Sequence, residues 1–189
     1  MTNNSHKNRN KGFTLVELLV VITILGILAA IGLESFITAQ ARGRDAKRKS
    51  DLGQISAALE LYYSDYGKYP LSSGGQIEGC PSTGPTACVW ANSSKFTDGK
   101  TVYIMTLPKD PSSSRSYYYQ ALSATSPQGF QLFAALENTQ DINCLSGAGG
   151  TPSCTNPVGV PSVVTCGSDG KCNFAITSSN TSPTATPIP

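Results

Sequence analysis

The sequence predicts an α+β fold. A long N-terminal helix, membrane-embedded in its first half and amphipathic in its second, packs on a small antiparallel β-sheet head with disulfide-stapled loops. Residues 13–33 form an almost unbroken apolar run, and residues 34–66 place apolar side chains three and four positions apart. The rest of the chain alternates short β-like segments with stretches rich in Gly, Pro and Ser, and it contains all six cysteines.

Composition and charge exclude several classes of protein. The 189 residues leave room for one membrane-associated segment and one soluble domain. The formal net charge is +2 and charged residues make up 14% of the chain, so no strong overall field favours nucleic acid as a partner. The single histidine, His6, precedes the apolar run, and no phosphate-binding Gly-Lys-Ser/Thr loop occurs. We therefore expect neither an enzyme nor a bound cofactor.

The apolar run is long enough for a helix that crosses a membrane. At about 1.5 Å per residue it spans roughly 30 Å, the thickness of the hydrocarbon core of a bilayer. A secretory signal peptide with a small-residue site at Ala30-Ile31-Gly32 is one alternative, and a plain single-pass anchor is another. Neither explains Glu17, because an ionisable side chain within a span is costly and usually functional.

The motif around Glu17 offers an explanation. "KGFTLVEL", beginning at Lys11, resembles the processing motif of type IV pilins and of type II secretion pseudopilins. The resemblance implies that a prepilin peptidase removes the basic leader, residues 1–12, by cutting after Gly12 on the cytoplasmic side. It also implies that Phe13 becomes the N-methylated N-terminus and that Glu17 is the glutamate of the mature motif.

Cleavage would create a cationic amine at the start of the helix, one helical turn before Glu17. A carboxylate there faces the positive end of the helix dipole and can pair with its own amine or with that of a neighbouring subunit. Because an unpaired charge is penalised inside lipid or a packed bundle, such pairing would fix the axial register of subunits. We expect Glu17 to act as the registration residue.

The resemblance also implies a location and partners. The chain would cross the cytoplasmic membrane once at residues 13–33, with its N-terminus inside, and would then enter an extracytoplasmic or cell-surface filament. Its partners would be the prepilin peptidase, other copies of itself and related pilins, and the membrane lipid before assembly.

Helical periodicity continues beyond the apolar run, through residues 34–66. The predicted helix extends from about Thr14 to Tyr66, where Gly67 and Pro70 end it. The apolar stripe expected to face the head consists of Leu52, Ile55, Leu59, Tyr62 and Tyr66.

The head is predicted to occupy residues 67–176. Residues 71–100 are rich in Gly, Ser and Pro and are expected to form loops. Residues 101–105, 116–122 and 129–137 are β candidates, and "VVTCGSDGKCNFAI" looks like a hairpin that turns at Asp169-Gly170. "LPKDP" and "FQLFAALE" resemble segments of the major pseudopilins. Residues 177–189 are rich in Ser, Thr and Pro and are expected to form a flexible tail.

An even number of cysteines beyond a membrane segment indicates disulfides in an oxidising compartment. The sequence alone does not choose among the possible pairings. Pairing of chain neighbours is our expectation, which gives Cys80–Cys88, Cys144–Cys154 and Cys166–Cys172.

Metal binding has only thin support in the sequence. No CxxC pair is present, which leaves a zinc site without its usual ligands. Some pseudopilins bind calcium in a C-terminal loop, and Asp141, Asn143 and Asp169 are the hard oxygen ligands available here. Since no DxDxDG loop occurs, we expect no metal and treat these residues as solvated turn residues.

A basic patch follows the apolar run at Arg42, Arg44, Lys47, Arg48 and Lys49. It raises the possibility of a competence pilin that binds DNA; the alternative is a collar that contacts lipid headgroups or other subunits. Asp45 and Asp51 lie four positions from Lys49 and Lys47 and are expected to pair with them. No aromatic residue is interleaved to stack on bases, so nucleic acid is not the expected partner.

The sequence thus predicts a prepilin whose mature form is a structural subunit of a type IV pilus-like filament. The alternatives are a major pseudopilin of a type II secretion system and a DNA-binding competence pilin. "LPKDP" favours the pseudopilin, whereas the cysteine-rich region and the tail favour a pilin displayed on the cell surface.

Overall fold

The fold was obtained as a computed structural model, which describes residues 12–78, 87–91, 94–147, 150–155, 157–158, 160–161, 163–168 and 170–183. One helix dominates the described chain: α1, Leu15–Tyr66, of 52 residues. Gly67 ends it with φ 64° and donates its backbone N–H to Tyr63 O at 2.7 Å. The predicted helix and its end are confirmed.

The chain divides into two compact units, Met1–Gln40 and Ala41–Pro189. In the first unit the apolar side chains of α1 are exposed, as Leu15 at 85% and Ile27 at 63% illustrate. By length and composition, α1 is the one described helix that qualifies to cross a membrane. An exposed apolar surface of this extent is typical of a segment that contacts lipid or other proteins.

The described residues of the second unit form three small antiparallel sheets, in strand orders β1-β2-β3, β4-β5 and β6-β7-β8. The strands are β1 Ser72–Ser73, β2 Gln76–Glu78, β3 Ala87–Cys88, β4 Phe96–Thr97, β5 Val102–Ile104, β6 Tyr118–Ala121, β7 Phe130–Ala134 and β8 Phe174–Thr177. The α+β class is confirmed, and β5, β6 and β7 lie within the three predicted segments. Residues 71–100 are not all loop, since β1 to β4 lie there.

The predicted C-terminal hairpin is confirmed only next to its turn, where Cys166 bridges Cys172 as expected. Residues 165 and 171 form only an isolated antiparallel bridge. β8 pairs with β7 instead, with Phe174 opposite Ala134 and Ile176 opposite Leu132. The physical reason is that all five residues of β7 are buried, so β7 needs a hydrogen-bonded partner along each edge.

The core has two layers, one on each face of β7. Phe130 and Leu132 share a buried cluster with Leu52, Ile55 and Leu59 of α1. Phe133 points to the other face, where it packs with Val164, Cys166 and Cys172. Alternation along β7 thus serves both clusters. Tyr66, expected in the stripe of α1, is instead 45% exposed and donates its hydroxyl hydrogen to Asp98 Oδ2 at 2.6 Å.

The first residues of the expected tail belong to the head. Thr177 ends β8, and the buried Ser178 accepts the Phe130 backbone N–H on its Oγ at 3.1 Å. Gln131 Nε2 donates to Ser182 O at 2.7 Å. Residues 184–189 lie outside the described residues.

Two disulfides staple the C-terminal loops. Cys144 pairs with Cys154 and Cys166 pairs with Cys172, with Cα atoms 5.2 Å and 5.1 Å apart. These pairs are the neighbour pairs expected from the sequence. Cys80 lies outside the described residues, so the Cys80–Cys88 pair stays a prediction.

Candidate functional site

The start of α1 carries the predicted processing and registration residues. Thr14 donates both its backbone N–H and its hydroxyl hydrogen to Glu17 Oε2, at 2.8 Å and 2.9 Å. The Glu17 backbone N–H donates in return to Thr14 Oγ1 at 3.2 Å. This reciprocal arrangement is a capping box, which satisfies free donors at a helix N-terminus.

The residues that flank the predicted cleavage point are accessible. Phe13 is 88% exposed, and a Cβ placed on Gly12 would meet nothing within 4 Å. The leader residues 1–11, including His6, lie outside the described residues. Glu17 is thus paired locally with Thr14, and its predicted pairing with a Phe13 amine stays a prediction that concerns the processed chain.

The second site is a buried ion cluster at the start of the head, formed by Asp45, Arg48, Asp110 and Glu137 and called here the Arg48 cluster. Arg48 is completely buried. Its Nε and Nη2 donate to Asp110 Oδ2 and Oδ1 at 2.8 Å and 2.9 Å. Nη1 lies 2.7 Å from Asp45 Oδ1, and Nη2 lies 2.7 Å from Glu137 Oε1. The guanidinium fork is therefore shared among three carboxylates.

Asp45 also binds the backbone that follows β7. Its Oδ1 and Oδ2 accept the Glu137 N–H at 2.9 Å and 3.1 Å, and Oδ2 accepts the Asn138 N–H at 2.8 Å. A buried carboxylate is stable only when it is paired and hydrogen-bonded, and Asp45 meets both conditions. Its hydrogen bonds to these two backbone N–H groups thereby link α1 to the segment that follows β7, and its ion pair with Arg48 balances the charge of the carboxylate.

Arg44 extends the cluster towards solvent. Its Nε donates to Glu137 Oε1 at 2.9 Å, and its Nη2 pairs with Glu137 Oε2. The hydrogen bonds from Arg44, with those from Arg48, outweigh the effect of burial and lower the pKa of Glu137 from 4.5 to about 2. Burial alone would lower the pKa of Arg48, but the hydrogen bonds to Asp110, Glu137 and Asp45 raise it above its ordinary value.

One turn further along α1, the carboxylate of Asp51 also has two partners. Its Oδ1 lies 3.3 Å from Lys47 Nζ, as the sequence predicts, and its Oδ2 accepts the Tyr117 hydroxyl hydrogen at 2.7 Å. Burial, with the Asp51 hydrogen bond, raises the pKa of Tyr117, so this phenol stays a neutral donor.

Lys49 does not pair with Asp45, and that prediction is wrong. Asp45 and Lys49 are four positions apart, but Arg48 and the backbone after β7 occupy the Asp45 carboxylate. Lys49 Nζ contacts Asp141 instead, at 2.8 Å from Oδ1 and 2.6 Å from Oδ2. Burial alone would raise the pKa of Asp141, but the hydrogen bonds from Lys49 and Asn143 together with the charge of Lys49 lower it.

The basic patch is therefore largely neutralised within the chain. Four of its five cations form ion pairs with carboxylates, and Arg42 is exposed. This arrangement does not offer the row of free cations that phosphate contacts require. It also leaves little charge for a collar against lipid headgroups.

Sequence reasoning missed the Arg48 cluster because its members are far apart in the chain. Arg48 and Asp110 are 62 residues apart, and Arg44 and Glu137 are 93 apart. A signal was nevertheless present, since Asp110 belongs to "LPKDP" and Glu137 ends "FQLFAALE". The two segments noted for their resemblance to the major pseudopilins supply two of the three carboxylates that converge on Arg48.

Among the calcium candidates, Asp141 and Asn143 lie together and Asp169 lies outside the described residues. Asp141 Oδ1 accepts the backbone N–H of Asn143 at 2.9 Å and its side-chain Nδ2 hydrogen at 3.2 Å. Within the described ranges no group of three or more His, Cys, Asp or Glu could hold a metal ion.

Comparison with known proteins gives two findings. The family model described as "Prokaryotic N-terminal methylation motif" matches residues 7–33. The second finding is a set of known proteins whose sequences are similar to this chain. No solved structure matches the chain.

These relatives differ in how much of this chain they match. The type IV major pilin protein PilA of Myxococcus xanthus is 43% identical over 61 residues, which cover 32% of this chain and only 28% of that protein. Type II secretion system core protein G of Klebsiella pneumoniae is 35% identical over 117 residues, which cover 61% of this chain and 76% of that protein. Core protein G of Pseudomonas aeruginosa is 31% identical over 130 residues, covering 68% and 84%. None of these names describes an enzyme.

Proposed function

The chain belongs to the family of type IV pilins and type II secretion pseudopilins, and on that premise we propose that it is a prepilin whose mature form is a structural subunit of a type IV pilus-like filament. The observation that carries the proposal is the division of α1. Its first part carries the methylation motif and exposes apolar side chains, while its second part is the backbone of a folded head. A chain so built is suited to assembly through its N-terminal helix.

Processing is the first step of the proposal. A prepilin peptidase cuts after Gly12, and Phe13 is then N-methylated. The exposure of Phe13 and the open space around Gly12 support this step, because a protease needs access to the scissile backbone. Thr14 and Glu17 keep the helix start folded next to the cut.

Before assembly the subunit resides in the cytoplasmic membrane as a single span, with its N-terminus inside. Apolar side chains in the first half of α1 are more than half exposed in the isolated chain, among them Leu19, Ile24 and Leu28. Burying such surface in lipid, and later against neighbouring helices, is the driving force of both states.

Assembly uses Glu17 as the registration residue. In the isolated chain the carboxylate satisfies the N–H and hydroxyl of its own Thr14, both through Oε2. In the filament it pairs in addition with the Phe13 amine of its own or a neighbouring subunit. Since a buried charge without a partner is penalised, only one axial register of neighbouring helices would satisfy both groups.

A second candidate function is that of a major pseudopilin of a type II secretion system. The extent of the similarities favours it: the pilin match spans 61 residues, or 32% of this chain, whereas the core protein G matches span 117 and 130 residues and so must include part of the head. Asp110 and Glu137, which anchor the head to Arg48, lie in the segments that resemble the pseudopilins. Both candidates share the same subunit architecture and differ in the length and task of the filament.

Electron microscopy of cells with and without this gene tests the proposal. Long surface fibres that vanish with the gene and return with its complementation would support the pilus. Loss of secreted proteins from the medium, with no change in surface fibres, would favour the pseudopilin. A chain found as a free monomer outside the membrane, with neither phenotype, would contradict both.

A further inference from the structure

Lys49 of α1 lies next to Asp141, the carboxylate of the loop formed by residues 138–147. We propose that Lys49 is the resident cation of the 138–147 loop, so that this loop is tied to α1 by a protein ammonium and does not depend on a bound divalent metal. The inference concerns the head alone and does not rest on the proposed function.

The geometry of the pair carries the first step. Lys49 Nζ lies 2.8 Å from Asp141 Oδ1 and 2.6 Å from Oδ2, so the ammonium bridges both oxygens of the carboxylate. The side chains of Lys49 and Asp141 are only 28% and 13% exposed. Solvent therefore screens the attraction of this pair less than it screens a fully exposed ion pair. The ammonium also lies 5.8 Å from the centre of the Phe174 ring, a favourable cation–π position.

Asn143 occupies further acceptor capacity on Oδ1 of Asp141. Its Oδ1 accepts the backbone N–H of Asn143 at 2.9 Å and the Nδ2 hydrogen at 3.2 Å, in addition to the bond from Lys49. Because an ionised carboxylate only accepts hydrogen bonds, Asn143 must direct its NH₂ group, and not its carbonyl, at Asp141. The carboxylate is thus surrounded by donors that are preorganised around it.

This arrangement does not fit calcium. The ion takes about six to eight oxygen ligands at about 2.3–2.6 Å. At Asp141 it would meet the positively charged ammonium of Lys49 and the neutral NH₂ group of Asn143, which directs hydrogen atoms at the carboxylate. Calcium would have to displace Lys49 and rotate Asn143 before it could bind, so the residues present are arranged for the ammonium.

The loop is held from its other side by uncharged contacts. Leu145 donates its N–H to Asn173 O at 2.7 Å, and the disulfide from Cys144 to Cys154 closes the loop. Asn173 Nδ2 donates further to Leu136 O and to Cys154 O, at 3.0 Å and 2.9 Å. With that side fixed and the start of the loop held by Asp45 through the Asn138 N–H, the Lys49–Asp141 pair supplies the tie to α1 in the middle of the loop.

Hydrogen exchange of the full-length chain in detergent micelles tests the inference, read by mass spectrometry on peptides that cover residues 138–147. Each protein is measured with millimolar calcium chloride and with EDTA. Lys49→Gln removes the cation, Lys49→Arg retains it, and Lys47→Gln is the matched control, since Lys47 is more exposed and pairs with Asp51.

We expect the loop of the natural sequence to exchange at the same rate with calcium and with EDTA. Lys49→Gln should speed exchange of the loop by about tenfold, because it removes the tie and raises the population of the open loop. Lys49→Arg and Lys47→Gln should match the natural sequence. Slower exchange of the natural loop in calcium would overturn the inference, as would an unchanged rate in Lys49→Gln. If Lys49→Gln does not fold, the inference is still tested by the exchange rates of the natural loop in calcium and in EDTA, and by the exchange rate of the loop in Lys49→Arg.

Discussion

Arg48 and Asp110 form a two-pronged, fully buried ion pair that joins α1 to the segment before β6. The two side chains have no exposed surface, and both hydrogen bonds between them are shorter than 3 Å. Such a pair adds little net stability compared with apolar residues of the same shape, but removal of one partner strands a charge in the core. The head is therefore sensitive to any change at this contact.

Arg48→Met should lower the free energy of unfolding of the head by about 3–5 kcal/mol, because Asp45, Asp110 and Glu137 lose their shared cation. Denaturant unfolding of the full chain in detergent measures the change. Arg42→Met is the matched control: Arg42 is exposed on the same helix, and its loss should change stability by less than about 0.5 kcal/mol. A loss below about 1 kcal/mol for Arg48→Met would show that the cluster relaxes without its arginine.

Acid should destabilise the head through Glu137. Hydrogen bonds from Arg44 and Arg48 depress the pKa of Glu137 to about 2 in the folded chain, against an ordinary value of 4.5. A depressed carboxylate stabilises the fold fully above its unfolded pKa, and this stability is lost as the pH falls from about 4.5 through about 2. Thermal unfolding across that range should show the fall, and in Glu137→Gln the slope should be shallower. Equal slopes in the two proteins would assign the acid sensitivity to other carboxylates.

Glu17→Ala should block filament assembly and leave membrane insertion intact or improved, since it removes an ionisable group from the span. Cleavage after Gly12 should largely persist, because the scissile bond and the leader are unchanged. Assembly should fail because an amine that enters the bundle unpaired costs about 3–5 kcal/mol. Glu17→Asp, one methylene shorter, should be intermediate. The measurements are the amount of mature subunit in membranes and the amount of sheared filament outside the cell.

Thr14→Val provides the control that the structure suggests for Glu17. It removes the hydroxyl group that binds Glu17 but retains the backbone N–H and the carboxylate. If registration is the role of Glu17, Thr14→Val should still assemble, with at most a modest loss of helix-start stability of about 0.5–2 kcal/mol. Normal filaments from Glu17→Ala would refute registration, and failure of both variants alike would point to capping instead.

Mass spectrometry of the mature protein should find Phe13 at the N-terminus with one added methyl group. A bulky residue at Gly12 should block this processing, because the peptidase site must admit a backbone without a side chain, whereas Gly26→Ala, within α1, should be processed normally. A mature start at Leu33 would instead support the signal-peptide alternative at Ala30-Ile31-Gly32.

Non-reducing peptide mapping should recover Cys144–Cys154, Cys166–Cys172 and Cys80–Cys88, with no free thiol. Replacing both Cys166 and Cys172 by Ser should lower the free energy of unfolding by about 2–4 kcal/mol, because the unfolded chain regains the freedom that the bridge removes. The loss should be visible as a lower midpoint in denaturant. A crossed pairing in the map would refute the neighbour rule used for the sequence.

The helix could be predicted from the sequence because its signals are local. Hydropathy over residues 13–33 and the three-and-four spacing of Leu52, Ile55 and Leu59 both report on a single element. The strands β1 and β4 were missed because two residues in a Gly- and Ser-rich region carry no alternation. The sequence places β8 in a hairpin because Gly170 gives a local turn signal. The pairing of β8 with the edge of β7 is a long-range contact, and no local pattern in the sequence predicts it.

The charged site shows the same limit. The i,i+4 rule gave Lys47–Asp51 correctly, although Asp51 also binds Tyr117. It gave Lys49–Asp45 wrongly, because both members of that pair have other ionic partners, Arg48 for Asp45 and Asp141 for Lys49. Asp110, Glu137 and Asp141 reach α1 only after β6 and β7 have been placed. Rules based on spacing within one helix do not include such distant partners, so the Arg48 cluster could not be predicted from the sequence.

The place of β8 in the sheet sets an order of events during biogenesis. β7 is buried along its whole length, but one edge stays open until residues through Thr177 have emerged and β8 has docked. An open, apolar strand edge is a template for aggregation, so the interval between the synthesis of β7 and that of β8 is a vulnerable one. On the proposed function, each newly translocated head would need a chaperone or the membrane surface to shield that edge until β8 seals it.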